Sequence, residues 1–167
     1  MKLTSAQAAK KLRKLNEHLN YLLEMEKSTR QFIAAVSEDL DSARPEYDYE
    51  KTQKEIAGTE KKIRALKHAI NIFNSTHRIA GYNMTVDEML VYIPQLTRRK
   101  TRLSKMGSTL PKERVDNRYS SNIIEYSYAN FDTRKAAADA ADASEKLFAA
   151  QTALDHFNST ETFEFEF

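Results

Sequence analysis

Four stretches of this chain carry a stripe at helical spacing, three of them at alternating spacings of three and four, and that period marks amphipathic α-helix. The first stripe is Ala8, Leu12, Leu15, Leu19 and Leu22, with Lys11, Lys14 and Glu17 between. The second is Tyr49, Thr52, Ile56, Thr59, Ile63, Leu66, Ile70 and Phe73. The third runs through Leu90, Ile93, Leu96 and Leu103, and the fourth through Ala136, Ala140, Ala143, Leu147, Ala150, Leu154 and Phe157. These are heptad-like, coiled-coil-style stripes. Each needs a partner surface, because most helical stability comes from packing an apolar face.

Local signals bound the helices. Thr4 and Gln7 have capping-box spacing, which starts a helix over about residues 5–27. A second helix starts near Asp48; Gly58 inside it costs about 1 kcal/mol relative to Ala, which a stripe of that length overrides. Thr85 and Glu88 form a second capping box, with Met84 and Met89 at the positions of a hydrophobic staple. Pro94 predicts a kink or break in the third helix, and Gly107 and Pro111 end it. The fourth helix spans about Asp132 to Asn158. The first half of its stripe is alanine, so a neighbour can approach closely there.

The connectors carry strand and turn signals. Arg30 to Val36 has the composition of a short strand, and Asp39, Asp41, Ser42 and Pro45 read as loop. Gly81 and Asn83 tolerate positive φ, which fits a tight turn or hairpin between Thr76 and Met84. Ile123, Ile124, Tyr126, Tyr128 and Phe131 give residues 115–131 strand character. The closing Thr162-Phe163-Glu164-Phe165-Glu166-Phe167 alternates aromatic with acidic, as in a strand with one buried face. Three exposed phenylalanines would be an aggregation hazard, so this segment is expected to pair with a strand of this chain or of a partner subunit. The expected fold is mainly α: four long amphipathic helices in a bundle or in paired helical hairpins, with minor strands from the connectors and the C-terminus. A length of 167 residues suits a single domain, 1–167.

The chain also repeats itself. Phe73-Asn74-Ser75-Thr76 recurs as Phe157-Asn158-Ser159-Thr160, each copy at a helix end, and Ala69-Ile70-Asn71 matches Ala153-Leu154-Asp155. The starts agree too: Leu3-Thr4 with Gln7, and Met84-Thr85 with Glu88. Two landmarks in the same order point to an internal duplication with halves 1–84 and 85–167.

Composition removes several chemistries. No cysteine is present, which excludes disulfides, thiolate metal sites and cysteine nucleophiles. With 26 basic and 24 acidic residues the formal charge is +2, too small for a global field that attracts nucleic acid or anionic lipid. The longest purely apolar run is Phe32-Ile33-Ala34-Ala35-Val36, against the roughly 20 residues of a membrane-spanning helix. No apolar signal-peptide core follows Met1, so a cytoplasmic protein without membrane association is expected.

Asn71 and Asn74, the turn and Thr85 cap after them, Arg118-Tyr119-Ser120, and Asn158 closing the fourth helix together resemble a family of small bacterial proteins labelled septicolysin-like. The resemblance spans nearly the whole chain. Members typically carry Asp-Gly before the Thr cap, where this chain has Ala80-Gly81, and often Trp after the last Asn, where it has Ser159. The resemblance implies a shared fold and assigns no activity. Nothing here resembles a membrane-inserting hairpin, with about ten alternating residues per strand.

Candidate sites are few. None of His18, His68, His77 and His156 has the Glu-x-x-His spacing of bundle metal sites, so no metal ligand set is expected. Gly58, Gly81 and Gly107 are isolated, which leaves no phosphate-binding glycine loop and no cofactor motif, and no catalytic residue is assigned. Arg98, Arg99, Lys100, Arg102 and Lys105 form the most basic stretch: a candidate phosphate grip, or a solvated helix face without interleaved aromatic residues. Asn71, Asn74 and Asn158 lie near the stripes, where a buried amide is costly unless paired. They read either as C-terminal caps or, with Arg118 and Tyr119, as a polar ligand site. The stripes, the Phe-rich end and the lack of a catalytic signature lead to one expectation above the others. It is a non-enzymatic, self-associating interaction protein, most simply a symmetric homo-oligomer. A nucleic-acid-associated protein and a small-ligand binder or enzyme are the alternatives.

Overall fold

The structure is a computed structural model that describes residues 1–115 and 124–166. In chain order the elements are β1 (Lys2–Thr4), α1 (Ser5–Thr29), α2 (Leu40–Ala43), α3 (Tyr49–Thr76), α4 (Val86–Gly107), β2 (Lys112–Arg114), β3 (Tyr126–Tyr128), α5 (Thr133–Thr160) and β4 (Thr162–Glu164). The fold is mainly α, with only short strands. It divides into two compact units: Met1–Thr76 with Asn158–Phe167, and His77–Phe157. Among the described residues no helix is long and apolar enough to cross a membrane.

The first unit is an antiparallel pairing of α1 and α3. Ala8, near the start of α1, shares a buried cluster with Leu66, near the end of α3. At the opposite end Gln53 Nε2 donates to Glu26 Oε1. The Thr4–Gln7 capping box forms as its spacing requires: Gln7 N–H donates to Thr4 Oγ1 at 3.2 Å, and Thr4 N–H to Gln7 Oε1 at 3.0 Å. On α3 the stripe residues Thr52, Ile56, Thr59, Ile63, Leu66 and Phe73 are buried, whereas Tyr49 stands exposed at the helix start. Thr59 satisfies its buried hydroxyl by donating to the Glu55 carbonyl at 2.9 Å.

The C-terminal segment closes this unit within the same chain. β4 pairs antiparallel with β1, placing Leu3 opposite Phe163 and Thr4 opposite Thr162. Phe165 joins Ala8 and Leu66 in the core, and the Phe163 ring lies 4.9 Å from Phe73. The acidic members of the alternation, Glu164 and Glu166, are exposed. Covering a Phe side chain contributes roughly 1.5–3 kcal/mol, which gives the segment reason to dock. The strand composition of residues 30–36, by contrast, produces no strand: α1 runs on to Thr29, and the segment beyond it is irregular up to the short α2. Among the described residues it has no strand partner, and a lone strand cannot satisfy its own backbone.

The second unit opens with a tight turn. Gly81 takes φ +79°, a conformation that disfavours side chains. Arg78 and Thr85 form an antiparallel bridge; Ile79 N–H donates to the Met84 carbonyl and Val86 N–H to that of His77, both at 3.0 Å. The second capping box is present, and Met89 beneath it is fully buried. Pro94 does not break the helix; α4 continues through it from Val86 to Gly107. Only one ladder bond is lost there, since proline has no N–H, and packing of Met89 and Leu96 on either side holds the rest. Leu90, expected on the stripe, is exposed. All seven stripe residues of α5 are buried. Beside that stripe, at the exposed Ala137, α4 and α5 approach closely: a Cβ on Gly107 would lie 2.8 Å from the Ala137 Cα.

The two edge pairings share one register. Thr4 and Thr85, the two capping residues, face Thr162 and Arg78, each five residues beyond the Phe of Phe-Asn-Ser-Thr. The tail of each sequence half therefore joins the head of the other, and the compact units end at 76 and 157 rather than at 84.

Candidate functional site

Three sets of polar side chains merit a place as sites, and the fold treats them differently. The helix-end asparagines do not occupy a cap position. α3 ends at Thr76 and α5 at Thr160, so Asn74 and Asn158 each lie two residues inside the last turn, half-buried. In α3 the end carbonyls are met by hydroxyls: Ser75 Oγ and Thr76 Oγ1 donate to the Ile72 carbonyl at 3.0 and 2.8 Å. Asn71 is exposed and lines an open groove of about 600 Å³ on the first unit. Asn16, Glu60, Arg64, Lys67 and His68 line it too, while neither Asn74 nor Asn158 does. Asn16 spends an amide hydrogen on the Leu12 carbonyl at 2.8 Å. The lining offers mixed charge in water and no serine, threonine or cysteine nucleophile. Arg118 and Tyr119 lie outside the described residues. Among the described residues no group of three or more His, Asp or Glu side chains is placed to hold a metal ion.

The basic stretch is a real surface. Arg98, Arg99, Lys100, Arg102 and Lys105 are all exposed on the second half of α4. Arg98 Nε donates to the Pro94 carbonyl at 3.4 Å. Among the described residues none of the five is ion-paired; the exposed pairs lie elsewhere, as in Lys146–Asp142 at 2.7 Å and Lys135–Asp139 at 3.6 Å. The chain as a whole is nearly neutral.

Sequence reasoning missed the third set. β2 and β3 form an antiparallel ribbon with Lys112 opposite Tyr128 and Arg114 opposite Tyr126. Residues facing each other share a face, as do those two apart, so two cations and two tyrosines stand together. The contacts agree: Lys112 Nζ is 4.1 Å from the Tyr126 ring centroid and 5.6 Å from that of Tyr128, and the two rings are 6.4 Å apart. Glu113 and Ser127 occupy the other face. Tyr126 and Tyr128 are 44% and 64% exposed. The aromatic partner that the basic stretch lacked in sequence thus stands on the ribbon that follows it. The available signal was alternation in both Lys112-Glu113-Arg114 and Tyr126-Ser127-Tyr128; it was weak because a charged triplet has no apolar period.

Among the described residues the capping-box carboxylate is the acid with a directed shift. The Thr85 backbone N–H and hydroxyl hold Glu88 below the usual carboxylate range. At the first unit's far end, partial burial and then the Glu26 carboxylate raise the Tyr47 hydroxyl above its ordinary value. Both contacts are structural.

No protein-family model matches the chain, and no curated protein matches it in sequence. Among solved structures it is similar to a functionally unknown conserved protein from Corynebacterium diphtheriae. The two share 18% identity with a TM-score of 0.64, over 98% of this chain and all of that one. At that identity the likeness shows the fold alone.

Proposed function

We propose that this protein is a non-enzymatic, self-associating assembly protein whose partner is a second copy of the chain. The observation that carries this reading is the run Phe32–Val36. Ile33 is 99% exposed and Val36 fully so, in a segment of five consecutive apolar residues. Single exposed apolar residues are ordinary, but a contiguous run of them marks interaction surface. The second unit adds exposed Leu90, Val91 and Phe148, the last beside an open groove of about 450 Å³ that Ile93 and Leu154 also line. The shared register of the two edge pairings supports descent from a duplicated unit.

The test is mass in solution by light scattering over a range of concentrations, for the natural chain and for Ile33→Ser with Val36→Ser. Covering those two side chains is worth roughly 3–6 kcal/mol, so the variant should dissociate at concentrations roughly a hundredfold higher or more. A natural chain that is monomeric throughout overturns the reading.

A second reading is favoured by the exposed cations of α4: a surface spanning Arg98, Arg99, Lys100, Arg102 and Lys105 that binds nucleic-acid phosphates. Its mark is an affinity that falls with salt and falls again in Arg98→Ala with Arg99→Ala.

A further inference from the structure

We infer that the exposed face of the β2–β3 ribbon is a stacking platform for single-stranded nucleic acid, with Tyr126 and Tyr128 receiving bases and Lys112 and Arg114 receiving phosphates. The inference rests in part on the second reading above, and adds to it a strand preference and a different set of residues.

The geometry carries four arguments. First, aromatic rings and cations lie on one face of the ribbon, and Glu113, which faces Ser127, lies on the other. Among the paired residues that face carries π-surface and positive charge, which complements unpaired bases on a polyanion. Second, charge is continuous along the chain. From Arg98 to Arg114 there are seven cations and the single acid Glu113. Lys112 lies seven residues beyond Lys105, at most roughly 25 Å of extended chain, a length that a short oligonucleotide spans. Third, the rings are free to be covered. They are 6.4 Å apart and 44% and 64% exposed, and among the described residues Lys112 is the cation above them. That lysine contact is worth roughly 0.5–1 kcal/mol at an exposed site, so a base displaces it at little cost while the ammonium moves to a phosphate. Fourth, duplex is the poorer fit, because its bases are already stacked and paired and offer a flat ring no free π-face.

The alternative role for these four residues is to hold the ribbon together. Cross-strand pairs do contribute roughly 0.2–1 kcal/mol each. That role needs no exposed face of uniform charge, and a Tyr-to-Leu exchange separates the two, since leucine keeps apolar bulk across the strands and removes the π-surface.

The experiment is fluorescence anisotropy of end-labelled twelve-residue oligouridine and oligothymidine, and of a twelve-pair duplex, titrated with the full chain from 50 to 300 mM salt. Circular dichroism of every variant checks the fold. The single strands should bind more tightly than the duplex. Tyr126→Leu with Tyr128→Leu should weaken single-strand binding roughly ten- to a hundredfold and leave the salt slope unchanged. Tyr126→Phe with Tyr128→Phe should bind as the natural chain does. Lys112→Ala with Arg114→Ala should lower the salt slope by about 1.4. If the Leu and Phe variants bind alike, or duplex competes equally, the stacking platform is refuted. Should Arg98→Ala with Arg99→Ala still weaken binding in that case, the α4 reading survives alone. If no oligonucleotide binds at 50 mM salt, both fall, and binding of vesicles of phosphatidylserine in its place would reassign the face to a lipid surface.

Discussion

Two glycines inside helices should respond to alanine with opposite sign, and the structure sets both magnitudes. Gly58 lies in the middle of α3, and a Cβ built on it meets nothing within 4 Å. Gly58→Ala therefore gains helix propensity and a stiffer unfolded chain without a clash, worth about 0.5–1 kcal/mol. Gly107 is the last residue of α4, where propensity counts for less. Its Cβ would lie 2.8 Å from the Cα, 2.9 Å from the Cβ and 2.9 Å from the N of Ala137. Those are mostly backbone atoms of α5, so no side chain can swing away; the helices must separate. Overpacking of that kind costs roughly 1–3 kcal/mol, and the buried contacts of Ala136 and Ala140 loosen with it. Thermal melts followed by circular dichroism read both. A shift of 1 kcal/mol moves the midpoint by roughly 2–8 °C, the larger figure applying if the second unit melts alone. Gly58→Ala should melt higher and Gly107→Ala lower. A Gly107→Ala variant as stable as the natural chain would refute the close approach of α4 to α5 at Ala137.

The C-terminal segment should prove structural to its own chain. Phe165→Ala should cost about 3 kcal/mol through the cavity it leaves beside Ala8 and Leu66, seen as a lower denaturant midpoint with the same mass in solution. The two capping boxes should differ in acid, because one uses Gln7 and the other Glu88. Glu88 is held below its ordinary value, so the stability it contributes is present above the carboxylate's unfolded value near 4.5 and is lost as pH falls through the lower folded value. Glu88→Gln keeps the box, as Gln7 does, so melting temperatures between pH 6 and 3 should fall less in the variant than in the natural chain; equal falls would remove Glu88 from the acid response. Thr85→Ala should cost about 1 kcal/mol at neutral pH, read from the denaturant midpoint.

Periodicity and capping chemistry are local, and they were legible in the sequence. Thr4 with Gln7 and Thr85 with Glu88 start their helices where their spacing says, because a cap is satisfied within four residues of itself. The α5 stripe is buried residue for residue, since a helix that packs one face shows it in its own period. What needed tertiary structure was pairing. Apolar composition alone made residues 30–36 resemble a strand, but a strand exists only with a partner, and none is offered there. The Phe-Glu alternation announced a strand without naming its neighbour; only folding brings residue 163 to residue 3. The same holds for the candidate sites. Asn74 and Asn158 share a sequence motif, yet the groove that Asn71 lines includes neither, because which side chains border a groove follows from helix packing rather than from spacing. Lys112 and Tyr126 share no motif, yet they meet at 4.1 Å, because a ladder of backbone hydrogen bonds sets which side chains stand on one face whatever their chemistry.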